Sequence, residues 1–199
     1  PVYLSAHPQG MSGACQLLRR GAQQVQATPE MTVTVTGLPR QPRTVDMYNG
    51  SGCFGFNGQV ITRKDGRYLA TIYGRYVGDE YYHALAVTSK DGVAWEYLST
   101  IATPAVIPRG TGGEGPSEAA VCRLKDDRLM CIFRISSGLT YGQAWSADEG
   151  KTWTKPTYDY IGDASLSMRD ASVRSVQPSL AVLKSGLVAL SVGRPGVSV

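Results

Sequence analysis

The 199-residue chain holds no uninterrupted apolar run near the length of a membrane span, so it offers no transmembrane helix. No basic start followed by an apolar stretch marks a secretory leader. No segment sustains the apolar period of an amphipathic helix, which excludes a helical solenoid. Charged residues are sparse, at 18%, and the basic ones are scattered; Arg19-Arg20 is an adjacent pair, but there is no basic stripe of the kind that tracks nucleic acid. The four cysteines, Cys15, Cys53, Cys122 and Cys131, match no zinc spacing, and nothing else calls for a metal or a cofactor.

What is abundant points the other way. The chain has 23 Gly, 11 Pro and 11 Tyr, a composition that suits an all-β fold rich in turns. At 42% hydrophobic it can bury a real core. A net charge of +4 with a pI near 8.9 fits an anionic ligand, but an ordinary solvated surface is its leading reading. Asn49-Gly50-Ser51 is a glycosylation sequon, which has meaning only for a secreted chain and is the weak basis for expecting an extracellular location.

A period near 60 residues organises the chain. "KDGRYLATIYGRY" (64–76), "KDDRLMCIFRIS" (125–136) and "KSGLVALSVGRPG" (184–196) share one layout, a turn followed by a β-rich run that reaches an Arg. Lys64, Lys125 and Lys184 lie 61 and 59 residues apart. An extended stretch precedes each turn: "NGQVITR", "EAAVCRL" and "QPSLAVL". Each unit reads as a four-stranded antiparallel meander, the blade of a β-propeller. A β-sandwich would account for short strands but not for turn motifs kept in register. Residues 51–199 are expected to supply about two and a half blades. Residues 1–50 form an unassigned N-terminal segment that is free to contribute strands. Further chain segments, or another chain, would complete the propeller.

The string "SADEGKTW" (146–153) reads as a tight β-turn. Asp148 and Ser146 accept backbone N–H groups, Gly150 supplies a positive φ, and Trp153 folds back as a lid. Ser146, Asp148, Gly150, Thr152 and Trp153 match every fixed position of the Asp-box, or BNR repeat, and the chain thereby resembles the sialidase superfamily. "TSKDGVAW" (88–95) reads as a degenerate copy, with Lys90 where the motif has Asp. In a meander the turn between strands 3 and 4 lies opposite the end where strand 1 begins and strand 2 ends. The Asp-box is therefore expected to be a structural clasp, remote from any ligand.

That other end gathers Asn57, Glu118 and Gln177 ahead of strand 1, and Arg75, Arg134 and Arg194 after strand 2. One acid among guanidinium groups makes an anion-binding, acid–base constellation, because Arg grips carboxylates in bidentate fashion. The resemblance sharpens this expectation. "EGPSEAAVCRLKDDRLMCIFR" is similar to the sialidase order in which a Glu is followed by an Arg of the triad that holds the sialic acid carboxylate. It implies Glu118 as the catalytic base of a Tyr nucleophile in retaining hydrolysis, and Arg134 and Arg194 as a carboxylate clamp. Arg75 and Gln177 join them as substrate-binding candidates. Asp79, Asp170, Tyr76 and Tyr141 are further candidates, for each of which a structural role is the leading reading. The implied nucleophilic Tyr, first triad Arg and acid/base Asp have no assigned position here.

Two functions follow. One is a sialidase-like glycoside hydrolase acting on terminal acidic sugars of glycoconjugates. The other is a non-catalytic carbohydrate-binding or structural propeller module of an extracellular assembly. Cys122 and Cys131 flank the Asp126-Asp127 turn symmetrically and are expected to face each other as buried thiols. Cys15 and Cys53 are left as the pair for a bridge in a secreted protein.

Overall fold

The computed structural model describes residues 2–16, 18–20, 25–44, 53–106, 114–135, 141–157, 176–193 and 197–198. Five strands come first: β1 (Tyr3–His7), β2 (Gly10–Cys15), β3 (Leu18–Arg20), β4 (Val25–Ala27) and β5 (Met31–Thr36). A four-stranded antiparallel meander follows: β6 (Phe54–Thr62), β7 (Tyr68–Gly74), β8 (His83–Ser89) and β9 (Ala94–Ala102). Next come β10 (Ser117–Arg123), β11 (Leu129–Arg134) and β12 (Gly142–Ser146), then β13 (Ser179–Val182), β14 (Val188–Gly193) and β15 (Val197–Ser198). Among the described residues the one helical element is the 3-10 turn Pro104–Val106. None of their helices is long and apolar enough to cross a membrane. The all-β expectation therefore holds, and the fold is of the propeller class: antiparallel meanders stack face to face, and their first strands β6, β10 and β13 pack together.

The repeat has a local cause. Arg63 N–H bonds Arg67 O (2.7 Å), Leu124 N–H bonds Arg128 O (2.9 Å) and Leu183 N–H bonds Leu187 O (2.8 Å). Inside these loops Gly66, Asp127 and Gly186 donate back to Arg63, Leu124 and Leu183, and all three have positive φ (80°, 68° and 98°). Each hairpin is thus a three-residue loop with a left-handed residue in its last place. The repeated lysines lean onto the next hairpin. Lys64 Nζ lies 2.9 Å from Asp127 Oδ2, and a Cβ on Gly186 would stand 3.0 Å from Lys125 Cδ.

Both faces of the first meander are covered. Ala70, Ile72, Leu85 and Val87 point to one side, where they pack with Leu4, Met11, Val33, Val35 and Phe54. The N-terminal strands thereby supply the segment's missing partner: β1, β2 and β5 close a seven-stranded ring with the meander, β5 running parallel to β9 and β1 antiparallel to β6. The alternate residues Leu69, Ala84 and Ala86 face the next sheet and meet Val121, Leu129, Cys131 and Phe133. Burying one such Leu or Phe contributes roughly 1.5–3 kcal/mol. The far face of that sheet, with Ala120, Met130 and Ile132, packs on Leu180, with Val188 and Leu190 alongside.

The left-handed turn residue also corrects the cysteine geometry. It shortens the symmetric register by one, so Val121 pairs with Cys131 and Cys122 with Met130. Cys122 and Cys131 are buried thiols, as expected, but they point to opposite faces of the sheet. The same shift sets Ile61 against Leu69 and Val182 against Val188. Cys15 and Cys53 are also free. Cys53 is fully buried, with its thiol against Leu4 O (3.1 Å) and Met11 Sδ (3.4 Å), so the expected bridge is absent. The sequon at 49–51 lies outside the described residues.

Candidate functional site

The 146–153 turn and the Glu118 end of the sheet are separated by the length of β11. Leu129 pairs with Ser146 at one end, while Ser117 pairs with Arg134 at the other. The turn is a self-bonded clasp. Ser146 Oγ accepts the Gly150 N–H (2.8 Å), Asp148 Oδ1 accepts the Thr152 N–H (2.9 Å), and Asp148 Oδ2 accepts the Thr152 hydroxyl (2.6 Å). Trp153 reaches the preceding meander, where its Nε1–H donates to Ser99 Oγ (3.0 Å). The 89–95 turn performs the same bonding with one residue fewer. Gly92 N–H donates to Ser89 Oγ (2.9 Å), and the Val93 and Ala94 N–H groups donate to Asp91 Oδ1 (2.8 and 2.9 Å). The apparent Lys90 mismatch comes from aligning Thr88 where Ser89 belongs.

At the other end, β10 opens with a bulge. Ser117 pairs with Arg134 and Ala120 with Ile132, so Glu118 and Ala119 together stand opposite Phe133. Glu118 has a φ of 45°, in the left-handed region that a non-Gly residue enters at a cost of about 1–2 kcal/mol. Gln177, at the matching place in the next unit, has a φ of 42°. A bulge also follows Asn57 in the unit before. This backbone irregularity recurs at the positions that the repeat singled out, and such strain persists only where the surroundings fix it.

Those surroundings are polar. The Glu118 side chain is 2% exposed; its Oε1 accepts from Arg134 Nη1 (3.3 Å) and its Oε2 from the Gln177 N–H (2.8 Å). A buried carboxylate is tolerable only with such partners. Arg134, with its side chain 10% exposed, also reaches a second acid: Nη2 lies 3.1 Å from Glu114 Oε1 and 3.0 Å from Oε2. Glu114 is 44% exposed. Its backbone is pinned, because the Glu114 and Gly115 N–H groups both donate to Ile135 O (2.9 and 3.2 Å) and Tyr82 N–H donates to Glu114 O (3.0 Å).

The other predicted residues distribute around this pair. Gln177 contributes its backbone N–H, and its side chain lines an open cavity of about 590 Å³ with Phe56, Asn57, Gln59, Pro178 and Ser179. The Thr71 hydroxyl lies between Asn57 O and Ala119 O (2.6 Å to the latter) and ties two of the bulges together. Arg75 stacks over the Tyr82 ring at 4.3 Å, on the stretch that holds Glu114. Tyr141 is buried, and its hydroxyl donates to Val176 O (3.2 Å). Burial and the Glu118 charge both push this phenol above its ordinary range. Arg194 and Asp170 lie outside the described residues.

Asp79 and Tyr76 belong to a separate clasp. Asp79 bonds Arg40 through both oxygens (2.6 and 2.8 Å) and His83 Nε2 (2.7 Å). The Arg40 hydrogen bond, assisted by His83, holds the Asp79 carboxyl below the usual range. Burial lowers the His83 pKa despite Asp79, so the contact is that of a neutral imidazole at neutral pH. Arg40 also sits over the Tyr76 ring at 4.9 Å. A cavity of about 660 Å³ beside Arg40 is walled by residues of the N-terminal segment, none of them a carboxylate, and it is separate from Glu118. Sequence reasoning missed Glu114, although it opens the "EGPSE" string, and also Arg40, whose partner is 39 residues away.

No protein-family model and no curated protein matches the chain. Solved structures do match in fold. A Dyadobacter fermentans protein of unknown function superposes with a TM-score of 0.56 at 15% identity, over 98% of this chain and 58% of its own. The Hadza microbial sialidase gives 0.56 at 18% identity, over 95% of this chain and 32% of its own. The Bombyx mori GH32 beta-fructofuranosidase gives 0.52 at 14% identity, over 98% and 41%. The chain thus has the fold of propeller glycoside hydrolases, sialidases among them, and spans between about a third and three-fifths of the length of these structures.

Proposed function

We propose that this chain carries part of a sialidase-like glycoside hydrolase site that acts on terminal acidic sugars of glycoconjugates. The observation that carries the reading is the buried Glu118–Arg134 pair, held at a left-handed bulge on the end of the sheet away from the 146–153 turn. The turns at 89–95 and 146–153 support it as Asp-box clasps that lock the sheets behind the site. Arg134 is the group that grips a substrate carboxylate, with Arg75 and Arg194 as further cations and Gln177 at the rim. Glu118 is the base. Its two oxygens are fixed by Arg134 and the Gln177 N–H, so it can accept a proton without changing place.

In retaining sialidase chemistry a Tyr attacks the anomeric carbon while a neighbouring Glu takes its proton. Tyr141 does not fit that part. Its proton is committed to Val176 O, and its pKa is shifted away from ionisation. Its ring packs instead in the core with Ala120, Ile132 and Leu180. One observation favours the second reading, a non-catalytic carbohydrate-binding module: the guanidinium of Arg134 already meets two internal carboxylates.

The deciding experiment is hydrolysis of a fluorogenic N-acetylneuraminide by the intact source protein, with a fluorogenic hexuronide beside it. Fluorophore release that falls about 100-fold or more in Glu118→Gln, with an unchanged circular dichroism spectrum, is the expected result. Saturable sugar binding without release would assign the binding-module reading instead.

A further inference from the structure

We propose that Glu114 is a built-in competitor at Arg134, holding the solvent-facing place on the guanidinium that a ligand carboxylate must take. The inference rests on the reading of Arg134 as an anion-gripping residue, and it names what stands in the way.

Three observations lead to it. First, the two carboxylates on Arg134 differ in burial: Glu118 is 2% exposed and Glu114 is 44% exposed. Water can hydrate the Glu114 carboxylate when it leaves Arg134, whereas freeing Glu118 would strand a buried charge. Glu114 is therefore the exchangeable partner of the two. Second, Nη2 lies almost equally far from both Glu114 oxygens, at 3.1 and 3.0 Å, so the whole carboxylate edge is presented to Arg134. A ligand carboxylate arriving from solvent would seek that same edge. Third, the acid is placed there by construction. Ile135 O anchors the Glu114 and Gly115 N–H groups, and Tyr82 N–H anchors Glu114 O. Gly115 has a φ of 98°, and a Cβ on it would stand 2.5 Å from Tyr82 N, so the chain passes too close for any side chain.

Charge gives the consequence. Glu118 and Glu114 already bring two carboxylates to the one Arg134 guanidinium. An anionic ligand that joined both would add a third. Entry of an acidic sugar therefore requires Glu114 to swing off Arg134, and a neutral sugar gains nothing from the exchange. Glu114 raises the threshold for anions and sets how strongly the site selects them.

The test uses acetate as the smallest carboxylate and acetamide as its neutral counterpart. Both are titrated into the full chain and followed by the Nε–H resonance of Arg134. Glu114→Gln should bind acetate about threefold or more tightly than the unaltered protein, the size of a released exposed ion pair, while acetamide binds neither. Glu114→Ala repeats the comparison should the Gln variant alter the fold. Equal acetate affinity in both proteins, or no acetate binding to either, overturns the proposal. N-acetylneuraminic acid is then added to Glu114→Gln. If acetate binds and this sugar does not, the exchange at Arg134 stands and the acidic-sugar reading falls.

Discussion

Replacing Trp153 by Ala tests the idea that the 146–153 turn is a clasp between sheets rather than part of a ligand site. The indole is half-buried, packing beside Leu69 and Leu98 and against Gly150, whose Cβ position is 3.6 Å from its Cζ2. Truncating a fully buried Trp costs about 3–5 kcal/mol. The ring here is partly buried and should lose the lower part of that range or somewhat less, roughly 2 kcal/mol. Its Nε1–H bond to Ser99 adds about 1 kcal/mol. Ser99 keeps its own bond to Gly150 O (2.5 Å), so no buried donor is stranded. The total is about 3 kcal/mol, which for a chain of this length lowers the melting temperature by about 6–12 °C. Thermal unfolding followed by far-UV circular dichroism measures it, with Trp153→Phe isolating the hydrogen bond. A shift in Trp153→Ala within about 2 °C would refute the clasp, as would any loss of acetate or sugar binding in the folded variant.

Acid should loosen the same contacts. Backbone N–H groups of Val93 and Ala94 hold Asp91 below its ordinary pKa, and the Arg123 guanidinium does the same for Glu149. Burial pushes Asp148 up, but hydrogen bonds from Thr152 and Ser146, with the Lys151 N–H, outweigh it and leave it lowered. Depressed carboxyls contribute stability that is whole above the ordinary carboxylate pKa of about 4 and drains away as pH falls below it. Urea midpoints measured from pH 7 down to pH 3 should drop, and less steeply in Glu149→Gln; a flat profile would exclude the mechanism. For the thiols, an aromatic disulfide reagent should label Cys15 first, since it alone of the four is partly exposed. Burial pushes Cys122 up to about 11 and raises Cys131 further, so these two and Cys53 should label only on unfolding, and rapid labelling of all four would contradict the packing.

The sequence alone determined whatever is written in local chemistry. The turns at Lys64, Lys125 and Lys184 repeat because each hairpin closes on itself within five residues, and "SADEGKTW" bonds within its own loop. The pairing of Glu118 with Arg134 was legible for the same reason, since one hairpin brings them together. Reading Cys122 and Cys131 as symmetric about Asp126-Asp127 assumes a two-residue turn; Asp127 instead takes the left-handed place that Gly66 and Gly186 take in the repeat, and that one residue moves Cys122 and Cys131 to opposite faces. The ring closed by β1, β2 and β5 was out of reach, because pairing between distant strands leaves no periodic mark. So were Arg40 on Asp79 and Glu114 on Arg134. An ion pair is fixed by where the backbone carries two charges, and only the packed sheets decide which charges meet.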